Sequence, residues 1–424
     1  MTDLVNPRQA YFQRMRPDVQ PAPDRLQAMM AGTGFHDVFE RAMSTEEFVE
    51  QLVEFEGIVG KIDIFEQAPV ELKTTMGSMP SDILATRASH AEQLAMYCVM
   101  VGKPAGHLVY YQRAEYGRTP ALRAFDLEVT DPDPIAREMV RRRDLLREAL
   151  DRRDPTGLPR CEWAGRGCDY EAICGCETAA PLTRMATPGS LSVRGNAELD
   201  GLLRERIGAA EARADGRNVR LHDLVVPRRA AYELAAGGEP GEAREEDAES
   251  RMKSLERMGF EGVLKESIWY AVPGACRRIR VPFGSVQASI LLYRDVPTII
   301  RVTGRSEMYR RDRLIADAPH YVDRLAFECA LAGSERGRLI AYYSSLPDDK
   351  FMVYDIWFRD LDAIKAEMQR RLDLLDAGAP PDELPACQPG WFAKFCPYAP
   401  GCGCDSQDGL VRPGRADAEG RLGG

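Results

Sequence analysis

Short runs of alternating apolar and polar residues in this chain give way, at intervals, to longer stretches with helical spacing. Gly57–Thr75 (GIVGKIDIFEQAPVELKTT) holds two β-branched, apolar runs on either side of Gln67-Ala68-Pro69, which predicts two strands joined by a turn. Similar runs predict strands at Leu108–Gln112, Phe125–Thr130, Ala288–Arg294, Thr298–Val302, Leu339–Ser344 and Phe351–Phe358. Apolar residues three and four apart predict helices at Ser89–Val101, Pro134–Asp151, Pro319–Ala332 and Asp360–Asp376. Strands interleaved with helices predict an α/β fold, with a mixed central sheet flanked by helices.

The pattern occurs twice. Asp3–Arg8 (DLVNPR) recurs as Asp223–Arg228 (DLVVPR), and Gly34–Phe39 (GFHDVF) as Gly259–Leu264 (GFEGVL). Leu94–Tyr97 (LAMY) recurs as Leu325–Glu328 (LAFE), and Ile135 and Met139 match Ile364 and Met368. Each copy is long enough for its own core, so the reading is a tandem duplication and not a solenoid. The expected boundaries are a first domain over 1–180, a linker over 181–220, a second domain over 221–404 and a disordered tail over 405–424. Gly237–Glu249 (GGEPGEAREEDAE) reads as a solvated insertion inside the second copy.

Composition narrows the class. The 424 residues carry no run of eighteen apolar residues and no N-terminal secretion pattern, so a cytoplasmic protein with no membrane partner is expected. A net charge of −10 argues against indiscriminate coating of nucleic acid. Basic clusters remain at Arg141–Arg143, at Arg152-Arg153, at Arg277, Arg278 and Arg280, and at Arg310, Arg311 and Arg313. They read either as solvated faces or as parts of a local basic channel.

Eleven cysteines without a secretion signal point to metal or redox chemistry rather than disulfides. Eight fall into two sets sharing a Cys-x5-Cys-x-Cys core: Cys161, Cys168, Cys174 and Cys176, then Cys387, Cys396, Cys402 and Cys404. Four thiolates so spaced, made twice, predict a metal cluster closing each copy. A four-thiolate set of this kind suits structural zinc among other metal centres. Cys98 and Cys329 lie in helical apolar patterns and read as core.

The hairpin carries candidate chemistry. Side chains on a strand alternate in direction, so Glu71 and Lys73 share a face, and a turn at Gln67–Pro69 brings Asp63 beside them. Two carboxylates and a lysine suit a divalent metal and a phosphate. Glu-x-Lys alone is too common to decide anything. Its company is more specific: Gly32-x3-His36 upstream, Gly60-x2-Asp63, Glu71-x-Lys73, then Gln93-x3-Tyr97 with both residues on one helix face. This ordered series resembles the RecB-type nucleases of the PD-(D/E)XK superfamily. It is similar, within that superfamily, to the iron–sulfur exonucleases associated with CRISPR systems and DNA-end resection.

The resemblance implies two restriction-endonuclease-like units and metal-dependent hydrolysis of DNA, from single-stranded ends. His36, Asp63, Glu71 and the Leu72 carbonyl would ligate Mn²⁺ or Mg²⁺. Lys73 would stabilise charge or orient the nucleophile, and Gln93 and Tyr97 would hold the strand or support Lys73. It also implies two [4Fe–4S] clusters, although the family's usual arrangement draws one cysteine from far upstream, and here each set is self-contained. A structure-specific endonuclease and a non-enzymatic iron–sulfur DNA-binding subunit are the alternatives. No nucleotide-binding Gly-x4-Gly-Lys-Ser/Thr motif is present, so a helicase, or an integrase-type partner, would be another chain.

The second copy has lost the pattern. Glu261 stands for His36, Leu291 for Asp63, Ile299 for Glu71, Arg301 for Lys73, Arg324 for Gln93 and Glu328 for Tyr97. It reads as a pseudo-nuclease whose Arg277, Arg278, Arg280 and Arg301 would guide DNA.

Overall fold

In a computed structural model the chain forms two compact units: Met1–Ile207 with Met252–Gly259, and Gly208–Arg251 with Phe260–Gly424. The structure describes residues 2–22, 25–26, 29–36, 49–65, 67–75, 77–113, 119–162, 164–165, 168–187, 189–208, 218–235, 248–271, 274–346, 350–387, 396, 398–402, 404 and 416–419.

The first unit is built on a six-stranded sheet in sequence order: β1 (Val49–Phe55), β2 (Ile58–Phe65), β3 (Pro69–Thr75), β4 (Ala105–Gln112), β5 (Ala121–Val129) and β6 (Leu191–Gly195). Only β3 and β4 run parallel. Parallel neighbours need a crossover, and the helix Ala88–Met100 supplies it. That helix buries Leu94, Ala95, Met96 and Cys98 on one sheet face, with Leu108, Tyr110, Phe125 and Leu127 beneath them. Gly106 permits this close approach, because a Cβ there would stand 2.8 Å from Leu94 and 3.0 Å from the Cys98 sulfur. The opposite face packs Leu72, Val109, Tyr111, Leu122 and Ala124 against Phe35, Leu203, Met252 and Leu255.

The second unit repeats the plan with β7 (Cys276–Phe283), β8 (Val286–Tyr293), β9 (Val296–Thr303), β10 (Arg336–Tyr343), β11 (Phe351–Phe358) and β12 (Ala416–Glu419). Again, among the described strands, a single pair, β9 and β10, is parallel, with the helix Pro319–Ala332 between them in the chain. Gly337 stands under Leu325 and Cys329 as Gly106 does under Leu94 and Cys98. An α/β fold with two mixed, helix-flanked sheets is therefore what the alternation predicted.

Three expectations differ. Residues 181–220 were read as a linker, but Leu191–Gly195 pairs with β5 and the helix Ala197–Gly208 follows it, so most of this segment belongs to the first unit. Prolines and polar residues masked a five-residue edge strand. Within the tail read as disordered, Ala416–Glu419 pairs with β11, and the rest of the tail lies outside the described residues. The insertion read at Gly237–Glu249 also lies largely outside them, while Ala248 and Glu249 begin the helix Ala248–Ala271.

The triplet Arg141–Arg143 was open to reading as a solvated face. Arg142 instead has no solvent exposure. It donates to Glu138 at 2.9 Å, to Glu92 at 3.2 Å and to the carbonyls of Leu4 (2.9 Å) and Thr183 (2.5 Å). Arg371 does the same in the second unit, toward Glu367 and the Leu224 carbonyl, both at 2.7 Å.

Candidate functional site

The strand β2, the strand β3 and the crossover helix bring the hairpin and helix motifs of the first unit to one place. Asp63 accepts a hydrogen bond from the Leu72 amide at 2.8 Å, which fixes its carboxylate across the β2–β3 ladder. The Lys73 ammonium donates to Glu71 and, at 3.0 Å, to the Gln93 side-chain carbonyl. One turn along the helix, the Tyr97 hydroxyl donates to the Lys61 carbonyl of β2 at 2.5 Å. Gly60 makes room for that ring: a Cβ there would lie 2.8 Å from Tyr97 Cε1. The glycine immediately ahead of Lys61 is thus a spatial consequence of the tyrosine. Where Glu328 replaces the tyrosine, Ala288 stands at the glycine's position in β8.

His36 ends the helical residues 29–36, and its Nδ1 stands 4.0 Å from Asp63 Oδ2. Burial holds its pKa below the usual imidazole value, so it is neutral and its lone pair is free to act as a donor to a metal. Leu72, whose side chain points into the opposite core layer, contributes backbone only.

Glu71 is 2% exposed. Burial pushes its pKa to about 7, and neighbouring Asp63 adds to the rise, with Lys73 opposing it. Its Oε2 is buried without a hydrogen-bond partner. A carboxylate so placed lacks positive charge. Among the described residues, no group of three or more His, Cys, Asp or Glu side chains is arranged to hold a metal ion as it stands. The donor chemistry nevertheless suits a hard divalent cation: one imidazole and two carboxylates, with an orphaned oxygen.

One residue at this site escaped the sequence reading. His90 sits three positions before Gln93 on the same helix, and its Nδ1 is 2.6 Å from the Tyr110 hydroxyl of β4. Burial lowers its pKa to about 3, with Lys73 and Arg87 adding to the shift. Tyr110 pairs with Lys73 in the parallel ladder, which is why this histidine feels the lysine. The i, i+3, i+7 spacing of His90, Gln93 and Tyr97 was the available signal.

Each cysteine set is gathered and reduced. Cys161 interacts with Cys176 and Cys168, and Cys174 with Cys176. Cys404 does so with Cys387, Cys396 and Cys402. Burial raises the pKa of most of these thiols, and a hydrogen bond from Cys387 brings Cys404 down to about 6. The same scaffold surrounds both sets. Arg8 donates to the carbonyls of Leu158 and Cys174 (2.6 Å to the latter), as Arg228 does to those of Leu384 and Cys402 (2.9 and 2.8 Å). Phe12 stacks on Tyr170 as Tyr232 stacks on Tyr398.

In the second unit the arginines expected to guide DNA divide. Arg278 and Arg280 are exposed on β7, and Arg277 is exposed but paired to Asp295 at 2.9 Å. Arg301 is not on that surface: it turns inward to Glu261, 3.2 Å away, because Glu261 also accepts the Val302 amide at 3.1 Å.

No family model matches the chain, and no curated protein does. Solved structures do. One, titled "Crystal structure of SSO0001", is 17% identical, with the match covering 49% of this chain and 98% of that one at a TM-score of 0.32.

Proposed function

We propose that the first unit is a metal-dependent phosphodiester hydrolase of the RecB-type PD-(D/E)XK kind, acting on DNA from single-stranded ends. The observation that carries this reading is the meeting of Asp63, Glu71, Lys73 and Gln93 around a buried, unpartnered carboxylate oxygen.

His36, Asp63 and Glu71, with the Leu72 carbonyl, would hold Mn²⁺ or Mg²⁺. Such an ion, when bound, polarises a phosphoryl oxygen and lowers the pKa of a coordinated water. The chain's own groups do the rest. Gln93 keeps the Lys73 ammonium aimed at Glu71, where it can neutralise charge building on a phosphate. Tyr97 locks the helix to β2, so Gln93 and Asp63 keep their spacing. The four thiols in each unit would hold a [4Fe–4S] cluster, or zinc, that ties the final segment to the N-terminal helix. In the second unit Leu291 and Ile299 replace the two carboxylates proposed as ligands of the ion.

The test is cleavage of end-labelled DNA, single- and double-stranded, linear and circular, with Mn²⁺ or Mg²⁺. Asp63→Asn should lose activity at least a hundredfold while melting as wild type does, since it removes charge without removing volume. Wild-type rates in that variant would sink the reading. Cutting of circular DNA would replace the exonuclease with an endonuclease.

A further inference from the structure

The second unit keeps charged side chains at the place where the first unit has its candidate metal centre, but with the sign inverted. In the first unit Lys73 stands with two carboxylates, Asp63 and Glu71, an excess of negative charge that favours a metal ion. In the second, Arg301 takes the Lys73 position and Arg324 the Gln93 position. Lys73 and Gln93 touch at 3.0 Å in the first unit, and in the second Arg301 and Arg324 both act on the buried His222, so the two guanidinium groups share one neighbourhood. Lys265 joins them from the helix Ala248–Ala271, 3.9 Å from Glu261; burial lowers its pKa, with Arg301 and Arg278 adding to the shift and Glu261 and Glu328 opposing it. Facing these cations are Glu261 and Glu328, each already engaged: Glu261 with Arg301 and the Val302 amide, Glu328 with Arg324 at 2.7 Å.

Among the described residues that pair here, three cations against two carboxylates leave a net positive centre in a partly buried place. Like charges brought together there repel unless an anion joins them, and the two guanidinium groups offer the donor geometry that a phosphate accepts. Tyr321 flanks the group, with its ring 5.9 Å from the Arg301 guanidinium carbon. A copy retained for packing alone would meet this position with apolar residues, as it does at Leu291 and Ile299.

We infer that the second unit binds a phosphodiester directly at its degenerate centre, through Lys265, Arg301 and Arg324, with no metal ion. The substrate class is that of the nuclease proposed for the first unit, and the two readings separate under a chelator. The first unit's hold on DNA would rest on a divalent ion. The second unit's would not.

The experiment is fluorescence anisotropy of a labelled single-stranded oligonucleotide with the full chain in EDTA. Wild type should bind. Lys265→Gln with Arg324→Gln should weaken binding roughly tenfold, and should flatten the dependence of log affinity on log salt by ~1.4 units, since each of the two lost phosphate contacts removes ~0.7 of slope on a single strand. Arg324→Lys, which keeps the charge, should retain most of the slope. Should the double variant melt early, Lys265→Gln alone carries the same reading, because that side chain is 37% exposed. Unchanged affinity and slope in a variant that melts like wild type overturn the site, whether or not wild type cleaves DNA with Mn²⁺. Loss of binding supports it, again whether or not there is cleavage. Competition by a nucleoside monophosphate at equal phosphate concentration assigns the centre to free nucleotides, and its failure assigns the centre to a strand.

Discussion

Glu71 carries an unmet electrostatic demand. Its folded pKa, near 7, lies above the ordinary value of 4.5, so the folded chain without metal holds a proton that the unfolded chain gives up. That contribution is present below about pH 4.5 and is lost as the pH rises through 7. In a chelator, wild type should therefore lose on the order of 3 kcal/mol between those limits through this group alone. Glu71→Gln should remove that slope and melt higher than wild type at pH 7.5, while losing cleavage; chemical denaturation at a series of pH values reads both. An unchanged slope in the variant would show that Glu71 is not the group titrating. The Glu71–Lys73 pair was legible in the sequence because a strand's side chains alternate with period two. The pairing of His90 with Tyr110 was not, because it needs the parallel register of β3 and β4. Nor was the inward turn of Arg301, which depends on how far Glu261 reaches from a neighbouring helix.

Helix Pro132–Arg152 is pinned by a charged residue at a core position. Ile135, Met139, Arg142, Leu146 and Ala149 form one buried stripe, and Arg142 takes the place of an apolar residue in it. The sequence held this signal, since an arginine at the stripe's own spacing is a different object from its neighbours in a basic triplet. Composition obscured it: three arginines in a row read as a surface. Arg142→Met should cost about 3–5 kcal/mol, because it takes from the buried Glu92 carboxylate its buried cation and leaves the Leu4 and Thr183 carbonyls without their donor, although Glu138 keeps Arg141. Arg371→Met should act alike toward Glu367 and the Leu224 carbonyl. Thermal melts of the two variants check this. A loss below about 1 kcal/mol in both would mean that the buried arginines contribute little beyond an apolar side chain.

At the scale of the molecule, the duplication was the most legible feature, because motif, helix and cysteine recur in one order and each recurrence corresponds to an equivalent contact. Arg8 and Arg228, Phe12 and Tyr232, and Gly106 and Gly337 make those paired contacts. The edge strands β6 and β12 were not legible, being short and lacking alternation. The cysteine sets are the part of the repeat with a direct chemical readout. Buried thiols crowded together keep their protons or share them, and a metal ion that replaces those protons stabilises the fold by its own binding energy. Each unit should therefore hold its own metal. Anaerobically purified protein should be brown, with broad visible absorption bleached by dithionite; colourless protein with two zinc ions per chain would replace the clusters but keep the sites. Cys174→Ser should halve the metal content and lower the melting of the first unit, since the Cys174 carbonyl is also where Arg8 anchors the N-terminal helix. Cys402→Ser should do the same for the second unit, where Arg228 anchors at the Cys402 carbonyl. Full loss of metal from either single variant would mean one shared site, and metal-free wild-type protein would leave the eight thiols as packing alone.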